Sequence, residues 1–425
     1  MRTPLLALAA FLVLTLPVQA QDLSGTWQGG DKPQHVLKIR KDAKAYRGDW
    51  YNLGDEASGA PLNGNAISSI AVSDRSIQFS LDRTGAVFDG KLADDGKTIT
   101  GTWKTTFGQP QPLTLSRATK QTAWVIDPSP HKSRFITVQP GVKLEVLDWG
   151  GNGQPLIFLS GMGGTAHSFD GFAPKLTARH HVYAITRRGF GASDAPAFTN
   201  ENYDADRLGD DVLAVMATLK IENPVLVGHS IAGVELSSVG TRHPEKIGGL
   251  VYLEAVNGYS FYNPAQADLS TDAATVRRDL DRMFELQFSP SQTRALIAEI
   301  QAALPNLQAS LQQTADAYDG APDTPHVQTM EDLAGNRIFA NTRRYSVIKT
   351  PVLAILAMPR RCQPNCDKPF MQKIMAEAAA RADRFEKSSP SVRVVRLAGA
   401  SHLIWRSNEA DVLREMNSFL DGLPH

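Results

Sequence analysis

The stretch Pro224-Val-Leu-Val-Gly-His-Ser-Ile-Ala-Gly233 decides which fold this sequence predicts. Its first half is an apolar run typical of a buried strand, and a helical pattern follows its second half. A Gly-x-Ser-x-small motif between a strand and a helix indicates a sharp turn that lifts the serine hydroxyl out of a sheet. Such a turn needs small residues two positions before and after the serine, and Gly228 and Ala232 meet this need. We therefore expect Ser230 to act as a nucleophile.

A serine hydroxyl is a poor nucleophile at neutral pH and needs a base, and the position of His402 suits that role. His402 follows the last apolar run, Val392-Arg-Val-Val-Arg-Leu397, and precedes the last helical stretch. An imidazole there can take the serine proton and return it to the leaving group. His229 lies inside the serine turn, but we expect its side chain to point away from the hydroxyl of Ser230.

Backbone amides are expected to hold the negative oxygen that forms when a carbonyl is attacked. One amide belongs to Ile231, directly after the serine, and the other to Met162 in the loop Ser160-Gly-Met-Gly-Gly164. This glycine-rich loop matches neither the P-loop nor the dinucleotide-binding fingerprint, so it does not indicate a nucleotide cofactor. The residues expected to contact the substrate are Gly161, His229 and Tyr259.

From Val142 onward, apolar runs typical of buried parallel strands alternate with helical stretches. This alternation predicts an α/β fold with a doubly wound, mostly parallel sheet and helices on both faces. The interval between Glu254 and Pro351 is too long for a simple crossover and has a helical pattern. We expect residues 256–348 to form a helical cap over the carboxyl ends of the strands, where ligands bind in such sheets.

Residues 142–423 resemble the α/β-hydrolase superfamily. The resemblance rests on the serine turn, on His402 after the last strand, and on Arg187-Arg-Gly-Phe-Gly-Ala-Ser193, which is similar to a structural turn common in that superfamily. Related enzymes usually have His-Gly where this chain has Ser160-Gly161, and the amide geometry does not require that histidine. The resemblance implies a hydrolase of acyl bonds that uses no cofactor and no metal. A serine nucleophile argues against the dehalogenase and epoxide hydrolase branches, which use Asp at that position.

The acid that orients the histidine has two candidates, Glu254 and Asp367. In many α/β-hydrolases an Asp follows the next-to-last strand, but here the first acid after that strand is Asp367, beyond a loop with two cysteines. Glu254 ends the strand after the serine turn, and some members of the superfamily take their acid from that point. An unpaired carboxylate at the end of a buried strand would be costly. We therefore prefer Glu254 and keep Asp367 as the alternative.

Residues 21–119 predict a small all-β domain, a barrel or a sandwich, because short apolar runs alternate with turn signals such as Asp94-Asp-Gly96. This region resembles the lipocalin-like β modules found in front of some exported bacterial hydrolases and peptidases. We interpret it as an accessory or ligand-contacting domain, with contact to the cell envelope as one role left open. Residues 120–141 are polar and punctuated by prolines, which predicts a linker to the hydrolase domain at 142–425.

The pattern of residues 1–20 predicts a secretory signal peptide. Arg2 supplies the positive start, Leu5 to Leu16 form an apolar run too short to cross a bilayer comfortably, and Val18-Gln-Ala20 is typical of a cleavage site. The mature chain is expected to begin near Gln21, to be periplasmic or secreted, and to have no stable membrane insertion.

Charge and cysteine content narrow the function classes further. Lys+Arg and Asp+Glu are equal at 44 each, so no basic excess indicates a nucleic-acid partner. In an exported protein, a disulfide between Cys362 and Cys366 is our preferred interpretation over two free thiols. No other cysteine is present to complete a zinc site.

These features together predict a serine hydrolase that cleaves an ester or related acyl bond of a small, apolar substrate through an acyl-enzyme. Carboxylesterase activity is the first choice. Lactonase, amidase and carbon–carbon bond hydrolase activities remain alternatives, because the same three groups serve them all. A non-catalytic, ligand-binding member of the superfamily is the alternative of a different class.

Overall fold

The structure is a computed structural model of the chain. It describes residues 22–29, 35–42, 45–52, 64–73, 75–81, 85–105, 109–119, 121–123, 129–263, 268–285, 289–318, 330–361 and 369–423. Three predicted features lie outside these residues, namely the signal peptide at 1–20, the pair Cys362 and Cys366, and the alternative acid Asp367.

The amino-terminal part is an antiparallel sheet of nine strands. The strands are β1 Gly25–Gln28, β2 His35–Asp42, β3 Ala45–Asn52, β4 Gly64–Ala66, β5 Ser69–Ser73, β6 Ser76–Leu81, β7 Ala86–Leu92, β8 Thr98–Lys104 and β9 Gln111–Arg117. Their spatial order is β4-β3-β2-β1-β9-β8-β7-β6-β5, so the first and last strands of the module lie side by side. The result is a nearly closed, barrel-like sheet, which is one of the two forms that the sequence predicts, a barrel or a sandwich.

Aromatic side chains fill the interior of this β module. Trp27, Trp50 and Phe88 are fully buried, and the rings of Trp50 and Trp103 stack with centroids 4.4 Å apart. Strand β7 alternates strictly between buried and exposed residues, which is the pattern of a sheet with one face on a core. The interior is therefore a packed core along the described strands.

The second sheet has eight strands. They are β10 Lys132–Gln139, β11 Val142–Gly150, β12 Pro155–Leu159, β13 His181–Ile185, β14 Val225–His229, β15 Gly249–Leu253, β16 Val352–Ala357 and β17 Val392–Leu397. Their spatial order is β10-β11-β13-β12-β14-β15-β16-β17, with antiparallel pairing from β10 to β13 and parallel pairing elsewhere. This confirms the predicted doubly wound, mostly parallel sheet.

Helices cover both faces of the second sheet. They are α1 Ala205–Leu219, α2 Gly233–Arg242, α3 Leu269–Glu285, α4 Pro290–Tyr318, α5 Met330–Phe339, α6 Pro369–Lys387, α7 Ile404–Ser407 and α8 Glu409–Asp421. Neighbouring residues of one strand enter different cores, since Leu226 belongs to the cluster on one face and Val227 to the cluster on the other. Helices α3 to α5 lie between β15 and β16 in the chain, within the interval for which the sequence predicts a cap.

Strand β10 lies inside the segment 120–141 that the sequence predicts as a linker. It pairs with β11 in antiparallel register and forms an edge of the second sheet. Most of its residues are exposed and Ile136 is its one buried residue. Its apolar run, Phe135-Ile-Thr-Val138, is short and stands between Pro130 and Pro140, which favoured the linker interpretation. No described helix is both long and apolar enough to cross a membrane.

Candidate active site

The serine turn places Ser230 at the end of β14 with a left-handed backbone, at φ 53°. Close packing explains the small residues around it. A Cβ on Gly228 would lie 2.8 Å from Leu236 and 3.1 Å from the methyl of Ala232. A Cβ on Gly233 would lie 2.3 Å from the carbonyl oxygen of Ala255. Glycine is therefore required at 228 and 233, whereas the methyl of Ala232 fits.

His402 lies beside the serine, although 172 positions separate the two residues in the chain. Its Nε2 is 3.0 Å from Ser230 Oγ. The Nε2–H of His229 donates to the His402 carbonyl oxygen at 3.0 Å, because a carbonyl can only accept. Burial, followed by the charge of His402, lowers the pKa of His229 well below its usual value, so His229 is a neutral support for the backbone of His402.

Glu254 completes a chain of polar contacts behind the histidine. It follows β15 with a left-handed backbone at φ 52°, and its side chain is 7% exposed. Its Oε2 lies 3.3 Å from His402 Nδ1, and its Oε1 accepts the backbone N–H of Ala357 at 2.5 Å. Burial opposes ionisation of this carboxyl, but the contacts with His402, Arg360 and Ala357 outweigh it and lower the pKa of Glu254.

The glycine-rich loop after β12 lies against the serine turn. A Cβ on Gly161 would lie 2.5 Å from His229 Nδ1 and 3.2 Å from Ser230 Cβ, so only glycine allows this approach. The peptide of Met162 follows directly, and Ile231 continues the turn beyond the serine. The amides of Met162 and Ile231 thus belong to the two segments that meet at Ser230.

A buried ion pair holds the same loop from behind. The side chain of Arg187 pairs with Glu235 of α2, and its Nη2 donates to the carbonyl oxygen of Ser160 at 2.9 Å. The sequence marks Arg187 only as part of a common turn, so its support of the loop emerges from the structure. The turn motif Arg187-Arg-Gly-Phe-Gly-Ala-Ser193 indicates a structural role for this segment but does not indicate which loop Arg187 contacts.

Tyr259 reaches the serine from the segment between β15 and α3. Burial raises the pKa of its hydroxyl, which is therefore neutral, and the side chain of Ser230 partly offsets this rise. Its ring lies edge-on to Phe339 of α5, with centroids 5.4 Å apart. A Cβ on Gly335 of α5 would lie 2.8 Å from the sulfur of Met162, so α5 packs over the glycine-rich loop.

Arg360 is the residue at this site that sequence reasoning missed. It stands two positions after Met358 in the stretch Ala-Met-Pro-Arg-Arg-Cys, which contains no acid and no pattern that indicates a role for its arginines. Its Nη2 donates to Glu254 Oε2 at 2.5 Å and lies 2.8 Å from His402 Nδ1. The side chain is 42% exposed, so a guanidinium with access to solvent touches both groups behind the serine.

A separate group of metal-ligand side chains lies outside this site. His131, His167 and Asp170 each offer one ligand atom within 4.8 Å of the others. His167 also lies 2.9 Å from Asp170 and 3.6 Å from Glu145. Burial opposes protonation of His167, but these two carboxylates outweigh it and raise its pKa to about 10. An imidazolium between two carboxylates accounts for the geometry without an ion.

The profile of the Alpha/beta hydrolase family matches residues 156–415, which is more than half of the chain. The chain belongs to this family. The matched region begins within β12 and includes Ser230, Glu254 and His402. The family assignment confirms the hydrolase fold expected from the serine turn.

Other alpha/beta hydrolases are similar over parts of their length. The 2-(acetamidomethylene)succinate hydrolase of Mesorhizobium japonicum is 22% identical over 64% of this chain and 90% of that protein. The 2-hydroxymuconate semialdehyde hydrolase of a Pseudomonas species is 30% identical over 38% of this chain and 62% of that protein. The AB hydrolase superfamily protein YisY of Bacillus subtilis is 36% identical over 26% of this chain and 40% of that protein. The last two alignments span less than two thirds of the relatives.

Solved structures of hydrolytic enzymes align with about two thirds of the chain. A probable hydrolytic enzyme from Pseudomonas aeruginosa PAO1 aligns with a TM-score of 0.47 at 16% identity, over 69% of this chain and 95% of that one. The structure of E-2-(acetamidomethylene)succinate hydrolase aligns with a TM-score of 0.40 at 19% identity, over 69% and 100%.

Proposed function

We propose that this alpha/beta hydrolase cleaves an ester or related acyl bond through an acyl-enzyme formed on Ser230. The observation that carries the proposal is the contact of Ser230 Oγ with His402 Nε2 at 3.0 Å, with Glu254 on the other side of the ring. Acyl transfer needs a nucleophile, a base that contacts the nucleophile, and an acid that contacts and orients the base.

In this mechanism Ser230 Oγ attacks the carbonyl carbon while its proton passes to His402 Nε2. The amides of Ile231 and Met162 stabilise the resulting oxyanion. The tetrahedral intermediate then collapses: the bond to the leaving oxygen breaks, and His402 returns its proton to that oxygen. A water molecule then attacks the carbonyl carbon of the acyl-enzyme and gives a proton to His402. The bond between this carbon and Ser230 Oγ breaks, and His402 returns the proton to Ser230. The carboxylic acid product is released.

Glu254 is the acid of the proposal, and Asp367 remains the alternative. An ionised Glu254 would keep the Nδ1–H of His402 pointed away from the serine and would stabilise the imidazolium. Gly161, His229 and Tyr259 are proposed to shape the substrate site. Of these, Gly161 lets the glycine-rich loop approach, and Tyr259 lies close enough to Ser230 for the serine to affect its pKa.

Carboxylesterase activity is the first choice within this scheme. Two of the similar proteins named above are hydrolases of different substrates, 2-(acetamidomethylene)succinate and 2-hydroxymuconate semialdehyde, so lactonase, amidase and carbon–carbon hydrolase activities stay open for this chain. A non-catalytic binding role is the remaining alternative.

The place of action proposed for the mature chain is outside the cytoplasm. The support is the signal-peptide pattern of residues 1–20 and the closely spaced pair Cys362 and Cys366, which an oxidising compartment would join. The β module then serves as an accessory domain, with envelope contact as its proposed role. Pull-down of envelope material by the mature protein checks this, and failure of the intact protein to bind would contradict it.

The decisive experiment is hydrolysis of p-nitrophenyl esters of graded acyl length by the mature protein and its Ser230→Ala variant. We expect the variant to lose roughly a thousandfold or more of kcat, as removal of a catalytic nucleophile does. Ser418→Ala, at an exposed serine of α8, is the matched control and should retain the parental rate. Turnover that survives in Ser230→Ala would sink the proposal. A parent inactive on esters, lactones and amides would favour the binding role.

A further inference from the structure

Arg360 contacts His402, the proposed base, at the ring nitrogen that should donate a hydrogen bond to Glu254 before the reaction starts. The backbone on either side is anchored to the loop that leads to His402, since Gly399 donates to the Pro359 carbonyl and Arg361 donates to that of Ala400. From this anchored position the guanidinium reaches Glu254 Oε2 at 2.5 Å and His402 Nδ1 at 2.8 Å. The backbone on both sides of Arg360 is thus fixed relative to the loop that carries His402.

A guanidinium can only donate hydrogen bonds, so at 2.8 Å the Nδ1 of His402 must be an acceptor. The ring proton then sits on Nε2 and points at Ser230, which is the wrong tautomer for a base. Catalysis needs the opposite arrangement, with Nδ1–H donating to Glu254. Glu254 Oε2 accepts from Arg360 at 2.5 Å and lies 3.3 Å from Nδ1. A carboxylate oxygen can accept more than one hydrogen bond, so the conflict lies at Nδ1, which cannot donate to Glu254 while it accepts from Arg360.

Arg360 also creates an excess of positive charge at the site during the reaction. When His402 takes the serine proton, an imidazolium and the guanidinium of Arg360 face the single carboxylate of Glu254. A second arginine, Arg381 of α6, acts electrostatically on Tyr259 and does not share this problem, because Asp268 and Glu377 oppose its charge. Among the described residues, Glu254 is the carboxylate that Arg360 touches. One more negative charge beside Arg360 would balance the two positive groups.

We propose that Arg360 binds a carboxylate of the substrate, and that this exchange releases Nδ1 of His402 to bond with Glu254. The inference rests on the proposed hydrolase function and names its substrate class: acyl compounds with a carboxylate on the acyl side. An arginine suits this role because its planar fork binds a carboxylate through two parallel hydrogen bonds. Its 42% exposure leaves the guanidinium accessible to an incoming anion. The proposal adds an anionic end to the apolar substrate expected from the sequence.

The test compares two esters of equal chain length, mono-4-nitrophenyl glutarate, which is anionic, and 4-nitrophenyl pentanoate, which is neutral. We expect the parent to prefer the glutarate ester by tenfold or more in kcat/KM. Arg360→Gln should abolish this preference and also raise turnover of the pentanoate ester, since nothing then competes for Nδ1. Arg360→Lys, which keeps the charge without the fork, should retain only part of the preference.

Arg361→Gln is the matched control, because it removes the same charge from the adjacent exposed position and should keep the preference. If Arg360→Gln lowers kcat/KM equally for both esters, Arg360 merely supports Glu254 and the inference is wrong. A parent that hydrolyses both esters through Ser230 without preference also overturns the inference, but leaves the proposed function intact.

Binding of boronic acids provides a readout that does not depend on turnover. We expect 3-carboxyphenylboronic acid to bind the parent more tightly than phenylboronic acid, and Arg360→Gln to bind both equally. Equal affinities in the parent would overturn the role of Arg360. A parent that binds neither boronate and hydrolyses neither ester would contradict the proposed function itself.

Discussion

The β module and the hydrolase sheet of this chain both have packed cores, but their strands are connected in different ways. In the module, strands that are consecutive in sequence pair with each other, except β4 and β5, which are the two ends of the strand order. The pairing of β1 with β9 joins the two runs of consecutive strands. In the hydrolase sheet, helices carry the chain between strands that then lie parallel. The first arrangement uses short connections, and the second requires long ones.

This difference has a chemical consequence. Parallel strands end at the same edge of a sheet, so the crossovers bring together residues that follow β14, β15 and β17. Ser230, Glu254 and His402 are those residues, and they come from positions up to 172 apart. The antiparallel module instead alternates its strand ends and turns its aromatic residues inward. We therefore expect changes in the two regions to act on different quantities, catalysis in one and stability in the other.

The largest effect is expected from Glu254→Gln in the hydrolase region. It should lower kcat by about 10⁴-fold without loss of fold, because the amide no longer holds the required tautomer of His402. Ester hydrolysis by this variant, with Asp367→Asn beside it, checks the assignment of the acid. If Asp367→Asn shows the large loss and Glu254→Gln does not, the acid is Asp367.

Gly161→Ala should act next most strongly. Its Cβ would lie 2.5 Å from His229 Nδ1, so the glycine-rich loop must shift, and we expect a loss of roughly 10²- to 10³-fold in kcat as an oxyanion donor moves away. Gly171→Ala is a matched control, since nothing lies within 4 Å of the added Cβ. Equal activity of the two variants would show that the loop does not serve the reaction.

Trp50→Ala probes the β module. Trp50 is fully buried and stacks on Trp103, so its removal should lower the free energy of unfolding by about 3–5 kcal/mol. Thermal unfolding followed by circular dichroism measures this loss, and Val87→Ala, at an exposed position of β7, is the control. We expect kcat for esters to be retained at a temperature where the variant is folded. A parallel loss of kcat would mean that the two regions are not functionally separate.

The smallest effect is a pH dependence centred on His167. Its pKa is raised from 6.5 to about 10 on folding, so its contribution to stability is fully present below pH 6.5 and is lost as the pH rises through 10. His167→Gln should lower stability by about 2 kcal/mol at pH 6, less than a fully buried pair because the side chain is partly exposed. Unfolding by urea from pH 6 to pH 10 should show a flatter profile for the variant. Parallel profiles would contradict a charged His167.

The serine turn was predictable because its constraint is local. A buried strand, a left-handed serine and close packing at Gly228 all fall within a few residues, so they leave a motif in the sequence. The position of His402 was predictable from chain order in a recognised fold. Strand β10 escaped prediction because its short run Phe135-Ile-Thr-Val138 stands between Pro130 and Pro140, and the prolines with the polar residues around them are typical of a linker.

Arg360 and Arg187 show what local patterns cannot reveal. Each acts on a residue at least 27 positions away, Arg187 on Ser160 and Arg360 on Glu254 and His402. Nothing in the residues beside either arginine indicates those partners, because the partners arrive through other strands.

The sequence by itself determined the class of fold, the identity of the proposed nucleophile and base, and the division into a β module and a hydrolase region. These follow from periodicity and from steric limits within short segments. Only the tertiary structure decided which acid lies behind His402 among the described residues, what holds the glycine-rich loop, and that a guanidinium shares Glu254 with the histidine. The physical reason is that hydrogen bonds and ion pairs depend on distances of about 3 Å between side chains, which long crossovers set and no short stretch of sequence encodes.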